Sequence, residues 1–314
     1  MAVFLAGATG FLGGHLACVL AERGERVRAL VRHHEDDSRL RALGIEIVRG
    51  DLADAKTSRR AARGCRLAFN CIGLVSFERR DLARLREANV ESVRRVVEAL
   101  DPEARLVHVS SLAAIGPAPT PASFAVEQQQ FPPEAVSIPY CATKREGEQV
   151  ALDAAERGRD VVIANPSVAF GPGDLAGSST WPVTHYLSGR LRAYVDGGSA
   201  HVDVRDIAAG LATLAKRGRT GERYILTAPD ANLSWAELFR LVSEVTGVRR
   251  TLVRIPGRLA QAGAAVLRWP QKPGRVHAAR LFWYATAAKA EQELGFRTRP
   301  FAETVAASAA GAGD

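Results

Sequence analysis

Residues Gly7-Ala8-Thr9-Gly10-Phe11-Leu12-Gly13-Gly14, continuing into His15-Leu16-Ala17, decide the fold. They follow the apolar segment Val3 to Ala6, and Gly7, Gly10 and Gly13 keep the spacing G-x-x-G-x-x-G at the opening of a helical pattern. Glycines so placed serve a tight turn, the approach of backbone to a pyrophosphate, and close packing of helix on strand, with the anion at the helix N-terminus. A glycine triplet alone signals little. Its position at the first strand-to-helix turn of the chain predicts a dinucleotide cradle built from Gly7, Thr9, Gly10, Phe11, Leu12 and Gly13. The plainer alternative is a flexible turn that binds nothing.

Outward from this loop, short β-branched runs alternate with amphipathic stretches, the pattern of βαβ units around a parallel sheet. Strands are expected near Val3 to Ala6, Val27 to Val31, Glu46 to Val48, Leu67 to Asn70, Leu106 to Val109 and Val161 to Ala164. Helical spacing runs through Gly13 to Glu22, Leu82 to Leu100 and Lys144 to Arg157. The expected fold is α/β, a doubly wound Rossmann domain over residues 1–165, with a later strand near 223–227 returning to its sheet. Residues 166–314 are expected to form a smaller, mostly helical substrate lobe, interleaved with the sheet. The Ala-Gly tail from Ala306 to Asp314 reads as a frayed end.

The 314 residues are 47% hydrophobic and 24% charged, which suits a buried core and excludes disordered and fibrous classes. No apolar run reaches a membrane span and no basic leader opens the chain, so a cytoplasmic protein without membrane contact is expected. The formal net charge of +8 raises the question of nucleic acid. Pairs such as Arg59-Arg60, Arg79-Arg80, Arg94-Arg95 and Arg249-Arg250 are spread among acids, with no basic tail or aromatic platform, so no nucleic-acid partner is expected. Cys18, Cys65, Cys71 and Cys141 form no C-x-x-C pair and have no histidines at ligand spacing, which predicts reduced thiols and no metal.

The end of the second strand bears on which dinucleotide binds. A carboxylate there engages the ribose hydroxyls of NAD, whereas this chain continues Arg32-His33-His34, a site suited to a 2′-phosphate. NADP is therefore favoured over NAD, unless Arg32 is one more surface arginine. Gly50-Asp51-Leu52 closes the third strand, where Asp51 can accept from the adenine amino group and Leu52 lines the ring. Asp54 reads as a possible helix cap. After the fifth strand come Ser110 and Ser111, at the rim where parallel sheets bind ligands. Tyr140 and Lys144, in Pro139-Tyr140-Cys141-Ala142-Thr143-Lys144, are four residues apart and share one helix face.

Together, the glycine loop, Gly50-Asp51-Leu52, Asn89, the Tyr140–Lys144 pair, the segment from Asn165 to Asp174 and the run from His201 to Ala208 resemble the extended short-chain dehydrogenase/reductase superfamily, the NAD-dependent epimerase/dehydratase family within it. The likeness covers nearly the whole chain and is greatest to dihydroflavonol-reductase-like and sugar-epimerase-like members. By that resemblance Tyr140 is the general acid or base, Lys144 stabilises its phenolate and binds the nicotinamide ribose, and Ser111 holds the substrate oxygen. Ser111 is preferred to Ser110 by its distance from Gly116. The resemblance also implies that Gly73 and the segment Pro166-Ser167-Val168 line the cofactor, and that a homodimer can form through the helices at Leu82–Leu100 and Lys144–Arg157. Asn89 is read either as part of a proton-relay water site or as helix packing, and His201 as a loop brace more than a substrate contact.

Departures from the pattern shape the functional reading. Asn70-Cys71-Ile72-Gly73 is bulkier than the run relatives carry after the fourth strand, and is similar to that of a non-catalytic dinucleotide-binding subunit of respiratory complex I. Gly198-Ser199-Ala200-His201 lacks the arginine with which epimerases engage sugar-nucleotide phosphates, although Arg190, Arg192 or Arg280 can replace it. A lid from Leu175 to Val195, with Trp181, Pro182, Tyr186 and Leu187, is aromatic and apolar. The expectation is an NADPH-dependent oxidoreductase that reduces a ketone to a secondary alcohol through Tyr140, Lys144 and Ser111. The alternatives are an NAD-dependent nucleotide-sugar epimerase and a non-catalytic dinucleotide-binding subunit or redox sensor.

Overall fold

Apolar residues on both faces of each short strand require cover on both sides, and the structure provides it. The computed structural model describes residues 2–174, 179–257, 259–260 and 273–310. Its central sheet has seven parallel strands: β1 (Ala2–Ala6), β2 (Arg26–Val31), β3 (Glu46–Arg49), β4 (Cys65–Asn70), β5 (Arg105–Val109), β6 (Val161–Pro166) and β10 (Arg223–Leu226). They lie in the order β10-β6-β5-β4-β1-β2-β3, the Rossmann arrangement with an added edge strand. Along β1 the side chains alternate. Val3 and Leu5 join a core with Leu16 and Leu20 of α1 (Phe11–Glu22) and with Ile207 and Leu211 of the helix at Val204–Arg217. Phe4 and Ala6 join another, on the opposite face.

Four short helical segments, α2 (Ser38–Ala42), α3 (Ala55–Ala62), α4 (Leu82–Arg86) and α5 (Ser92–Ala99), and then α6 (Pro133–Val136) and α7 (Pro139–Glu156) follow. Val93 and Val96 of α5 and Ala151 and Ala154 of α7 cover the second face. The expected helix from Leu82 to Leu100 runs from Leu82 to Ala99 with a π-helical turn inside it at Glu87–Glu91, and α7 begins at Pro139, five residues before Lys144, because a proline is tolerated in the first turn. The π-turn and α7 meet at Gly147, where a side-chain Cβ would fall 1.9 Å from the Asn89 carbonyl oxygen. Gly147→Ala is therefore expected to cost roughly 1–3 kcal/mol of stability through backbone displacement. Urea unfolding checks this, and an unchanged midpoint would refute it.

Beyond β6 the chain builds a second unit of structure. β7 (Val168–Phe170), β9 (Gly198–Asp203), β11 (Asn232–Ser234) and β13 (Phe282–Trp283) form a small sheet, and β8 (Ala193–Val195) pairs with β12 (Val253–Ile255). Helices α8 (Trp181–Leu187), α9 (Val204–Arg217) and α10 (Trp235–Thr246) accompany them, with further helices at Pro273–Ala279, Ala288–Leu294 and Phe301–Ala310. The helices expected here are thus joined by two small sheets. The starts of α9 and α10 are tied locally: Asp203 accepts from the Arg205 N–H, and Ser234 and Glu237 form a capping box. Ala306 to Ala310, expected to fray, belong to the Phe301–Ala310 helix, whose Phe301 and Val305 are buried; 311–314 lie outside the described residues. Of the expected lid, 175–178 also lie outside them, while the rest forms α8 and β8.

Candidate active site

The order of the sheet reverses between β1 and β4, and the crevice at their carboxyl ends is where such a fold takes a ligand. Gly7 ends β1 with φ +83°, and a Cβ on it would lie 2.8 Å from the Cys71 carbonyl carbon. Gly13 presses on Gly7 so closely that a Cβ would fall 2.0 Å from the Gly7 oxygen. These contacts leave a backbone-lined cradle at the start of α1, a fit for the pyrophosphate of a dinucleotide. Thr9 and Gly10 are exposed at its rim, Leu12 packs into the core, and Phe11 sets its edge on His15. The bulkier Cys71-Ile72 run meets Gly7 through its backbone, so the side chains there do not displace the loop.

At the end of β2 the structure adds a carboxylate to the sequence reading. Arg32 stands where expected, but a turn folds Glu35 back onto it: Arg32 Nε and Nη2 donate to Glu35 Oε1 at 3.0 and 2.6 Å. A carboxylate is thus present at this position after all, three residues beyond the one where the sequence reading sought it. Arg39, on α2, lies beside α1, with Nη1 3.6 Å from where a Cβ of Gly14 would sit. Asp51 Oδ1 accepts from the Ala53 N–H and shapes its own turn, Leu52 is buried, and Asp54 caps α3 by accepting from Lys56.

Ser111, Tyr140 and Lys144 converge at the carboxyl end of β5. Lys144 reaches down from α7, buried, and its Nζ donates to the Val109 carbonyl at 3.0 Å. Burial lowers its pKa to about 8, opposed by the nearby Glu148 carboxylate. Burial raises the Tyr140 phenol to about 12, opposed by a hydrogen bond with the Ser111 hydroxyl. Ser111, and not Ser110, is the serine in contact with Tyr140; the Ser110 hydroxyl is buried. A Cβ on Gly73 would approach Lys144 Nζ to 4.0 Å, so this glycine keeps the space beside the ammonium open.

A buried polar network that the sequence reading missed ties these groups together. Asn165 Nδ2 donates both to the Ser111 carbonyl at 3.0 Å and to Glu148 Oε2 at 2.5 Å. Glu148 is fully buried and is neutralised by Arg145 and Arg223 at 3.2 and 3.3 Å. Tyr140, Lys144 and Glu148 recur every four residues, the spacing by which Glu148 could have been found. Asn89 is buried beside the cluster: its amide donates to the Leu74 carbonyl and Thr143 Oγ1, and its Oδ1 accepts from the Leu74 N–H. His201 braces the lobe from a fully buried position, its Nδ1 donating to the Ala231 carbonyl at 3.1 Å and its ring stacking on Phe301. Pro166 closes β6, Ser167 bonds Thr227 through its hydroxyl, and Val168 opens β7.

Tyr140 packs in one apolar cluster with Phe77, Phe131, Leu281 and Trp283, the Phe77 ring edge-on at 6.1 Å. Farther out, Arg275 lies 4.7 Å over the Trp181 ring, which stacks on His185. Among the described residues no group of three His, Cys, Asp or Glu side chains gathers to hold a metal, the four cysteines are free, and no helix is long and apolar enough to cross a membrane.

Sheet order, glycine cradle and the Ser111–Tyr140–Lys144 cluster together define an oxidoreductase-type enzyme of the extended short-chain dehydrogenase/reductase superfamily, working with a nicotinamide dinucleotide. Comparison narrows this: residues 3–226 match the NAD dependent epimerase/dehydratase family, and the chain belongs to it. It is 35% identical over 309 residues to a putative dihydroflavonol 4-reductase of Synechocystis, covering 93% of this chain and 89% of that one. It is 33% identical over 273 residues to sterol demethylase protein B of Methylococcus capsulatus, covering 86% and 82%. The crystal structure of gox2253 superposes with a TM-score of 0.87 at 31% identity, covering 99% of this chain and 97% of that one.

Proposed function

We propose that the protein is an NADPH-dependent reductase converting a ketone on an apolar, ring-bearing small molecule into a secondary alcohol. One observation carries the reading: a protonated Tyr140, with Ser111 against it and Lys144 one helical turn further along α7, sits in an apolar cluster. Gly7 to Gly13 would hold the pyrophosphate, Arg32 the 2′-phosphate, and Gly73, Lys144 and Pro166 to Val168 the nicotinamide end. Bound there, the cofactor supplies the hydride. Ser111 hydrogen-bonds the substrate oxygen and orients it, and Tyr140 donates its proton to that oxygen. The Lys144 ammonium stabilises the phenolate left behind. A phenol held neutral by burial suits proton donation, the direction of reduction.

The apolar surroundings of Tyr140 agree with relatives named for a dihydroflavonol and a sterol, both ring-bearing. The epimerase alternative is less well supported, because β9, which would carry its phosphate anchor, is buried along its whole length. Incubation with NADPH and a panel of cyclic apolar ketones tests the proposal, with NADPH oxidation and the alcohol product followed together. Turnover of a sugar nucleotide without net cofactor consumption would overturn it. For the cofactor, Arg32→Ala is expected to weaken NADPH binding by about 10–100-fold and NADH binding hardly at all, since a charge-assisted bidentate contact is lost only for the phosphate. Calorimetric titration measures both, and equal losses would refute the assignment of Arg32.

A further inference from the structure

The turn after β2 is held rigidly from β3. Arg49 Nη1 donates to the carbonyls of Arg32 and Glu35, both at 2.8 Å, and Arg49 Nη2 pairs with Asp37 at 2.7 Å. Inside this pinned turn the Glu35 carboxylate is closed on from two sides. Arg32 gives it the guanidinium contacts described above and its backbone N–H at 3.1 Å to Oε2, while the Thr9 side chain of the glycine loop lies near enough to favour the carboxylate form. Glu35 is the more enclosed partner, its side chain 20% exposed against 57% for Arg32. The anion therefore sits between the end of β2 and the glycine loop, the two walls between which the adenosine ribose of a dinucleotide passes in this fold.

We infer that Glu35 is the cofactor-selecting residue: a built-in anion that occupies the anion-binding face of Arg32 and competes there with a 2′-phosphate. The inference rests on the reading that Gly7 to Gly13 hold a nicotinamide dinucleotide. With Glu35 closed, the crevice presents a carboxylate acceptor to a ribose 2′-hydroxyl, which can donate to it. A 2′-phosphate cannot donate when ionised, and it meets like charge. It gains the Arg32 fork only when Glu35 leaves it, so each NADP bound costs the internal ion pair. The chain thus carries both determinants, Arg32 for NADP and Glu35 for NAD, and the strength of their mutual contact sets the ratio of the two affinities.

The test is binding of NADPH, NADH, 2′,5′-ADP and 5′-AMP to the wild type, Glu35→Gln, Arg32→Ala and the double variant, by calorimetry. The two nucleotide fragments report on the ribose end alone. Glu35→Gln is expected to tighten NADPH and 2′,5′-ADP by about tenfold and to weaken NADH and 5′-AMP a few-fold, as a competing charge is removed and an acceptor is lost. In the Arg32→Ala background the same change is expected to lose its benefit for the phosphorylated ligands. Affinity ratios unchanged by Glu35→Gln would overturn the inference. Equal weakening of all four ligands would also overturn it, by showing that the carboxylate merely props the glycine loop through Thr9. Glu35→Ala, with its thermal unfolding recorded, repeats the comparison without the amide. Should the wild type bind neither dinucleotide, the cofactor reading itself fails; should it bind both while the ratio ignores position 35, only the role of Glu35 fails.

Discussion

Replacing Tyr140 with Phe is expected to lower kcat for ketone reduction by about 10²–10⁴-fold, the range of a lost general acid. The substitution removes one oxygen and keeps the ring that packs edge-on against Phe77, so thermal unfolding is expected to stay nearly unchanged. Cofactor binding is expected to change little as well, because the glycine cradle and Arg32 belong to other elements. The loss should therefore fall on kcat and not on KM, the pattern of a contact made only in the transition state. Single-turnover reduction with the variant, monitored at the nicotinamide absorbance, reads this directly. A variant that keeps wild-type kcat would remove Tyr140 from the chemistry and with it the proposed reaction.

Lys144→Met is expected to produce a loss of similar size with an unusual companion, a stability that is unchanged or raised. Lys144 is a buried ammonium whose desolvation opposes its charge, and a methionine of similar length fills the same space without that penalty. Glu148 keeps Arg145, Arg223 and Asn165 as partners, so no carboxylate is left unpaired. The wild type carries the matching pH signature. Its Lys144 pKa is lowered to about 8, so the ammonium is present below that pH and is lost as pH rises through it. The phenolate of Tyr140 then loses its stabilising charge, and kcat is expected to fall on the alkaline side with a midpoint near pH 8. Tyr140 itself, raised to about 12, stays protonated across the range. The pH–rate profile of kcat checks this, and a rate flat from pH 7 to pH 10 would refute the role given to Lys144.

The parts of the protein that repeat a local rule were legible in the sequence. The glycine loop, the six leading strands and the Tyr140–Lys144 spacing each follow from periodicity or from a turn that only glycine can make. Glu35 was missed because nothing in the spacing of Arg32 and Glu35 shows that the turn closes on itself; Arg49, seventeen residues beyond Arg32, holds it shut. The π-turn at Glu87–Glu91 was missed because its cause lies in another helix, where Gly147 admits the displaced carbonyl of Asn89. The small sheets of the second half rest on two- and three-residue strands such as β13 and β7. Such strands are too short for an alternating pattern, and their partners are remote in sequence.

The route of the chain through β10 bears on how the protein is made. β6 is buried along its whole length, yet its outer edge is completed only by β10, which comes after β7, β8, β9 and α9 have been threaded. On the ribosome the first six strands therefore emerge as a sheet with one raw flank, apolar and unpaired, for as long as synthesis takes to reach Leu226. An open flank of that kind recruits foreign strands. A pause between Pro166 and Arg223 would prolong that exposure.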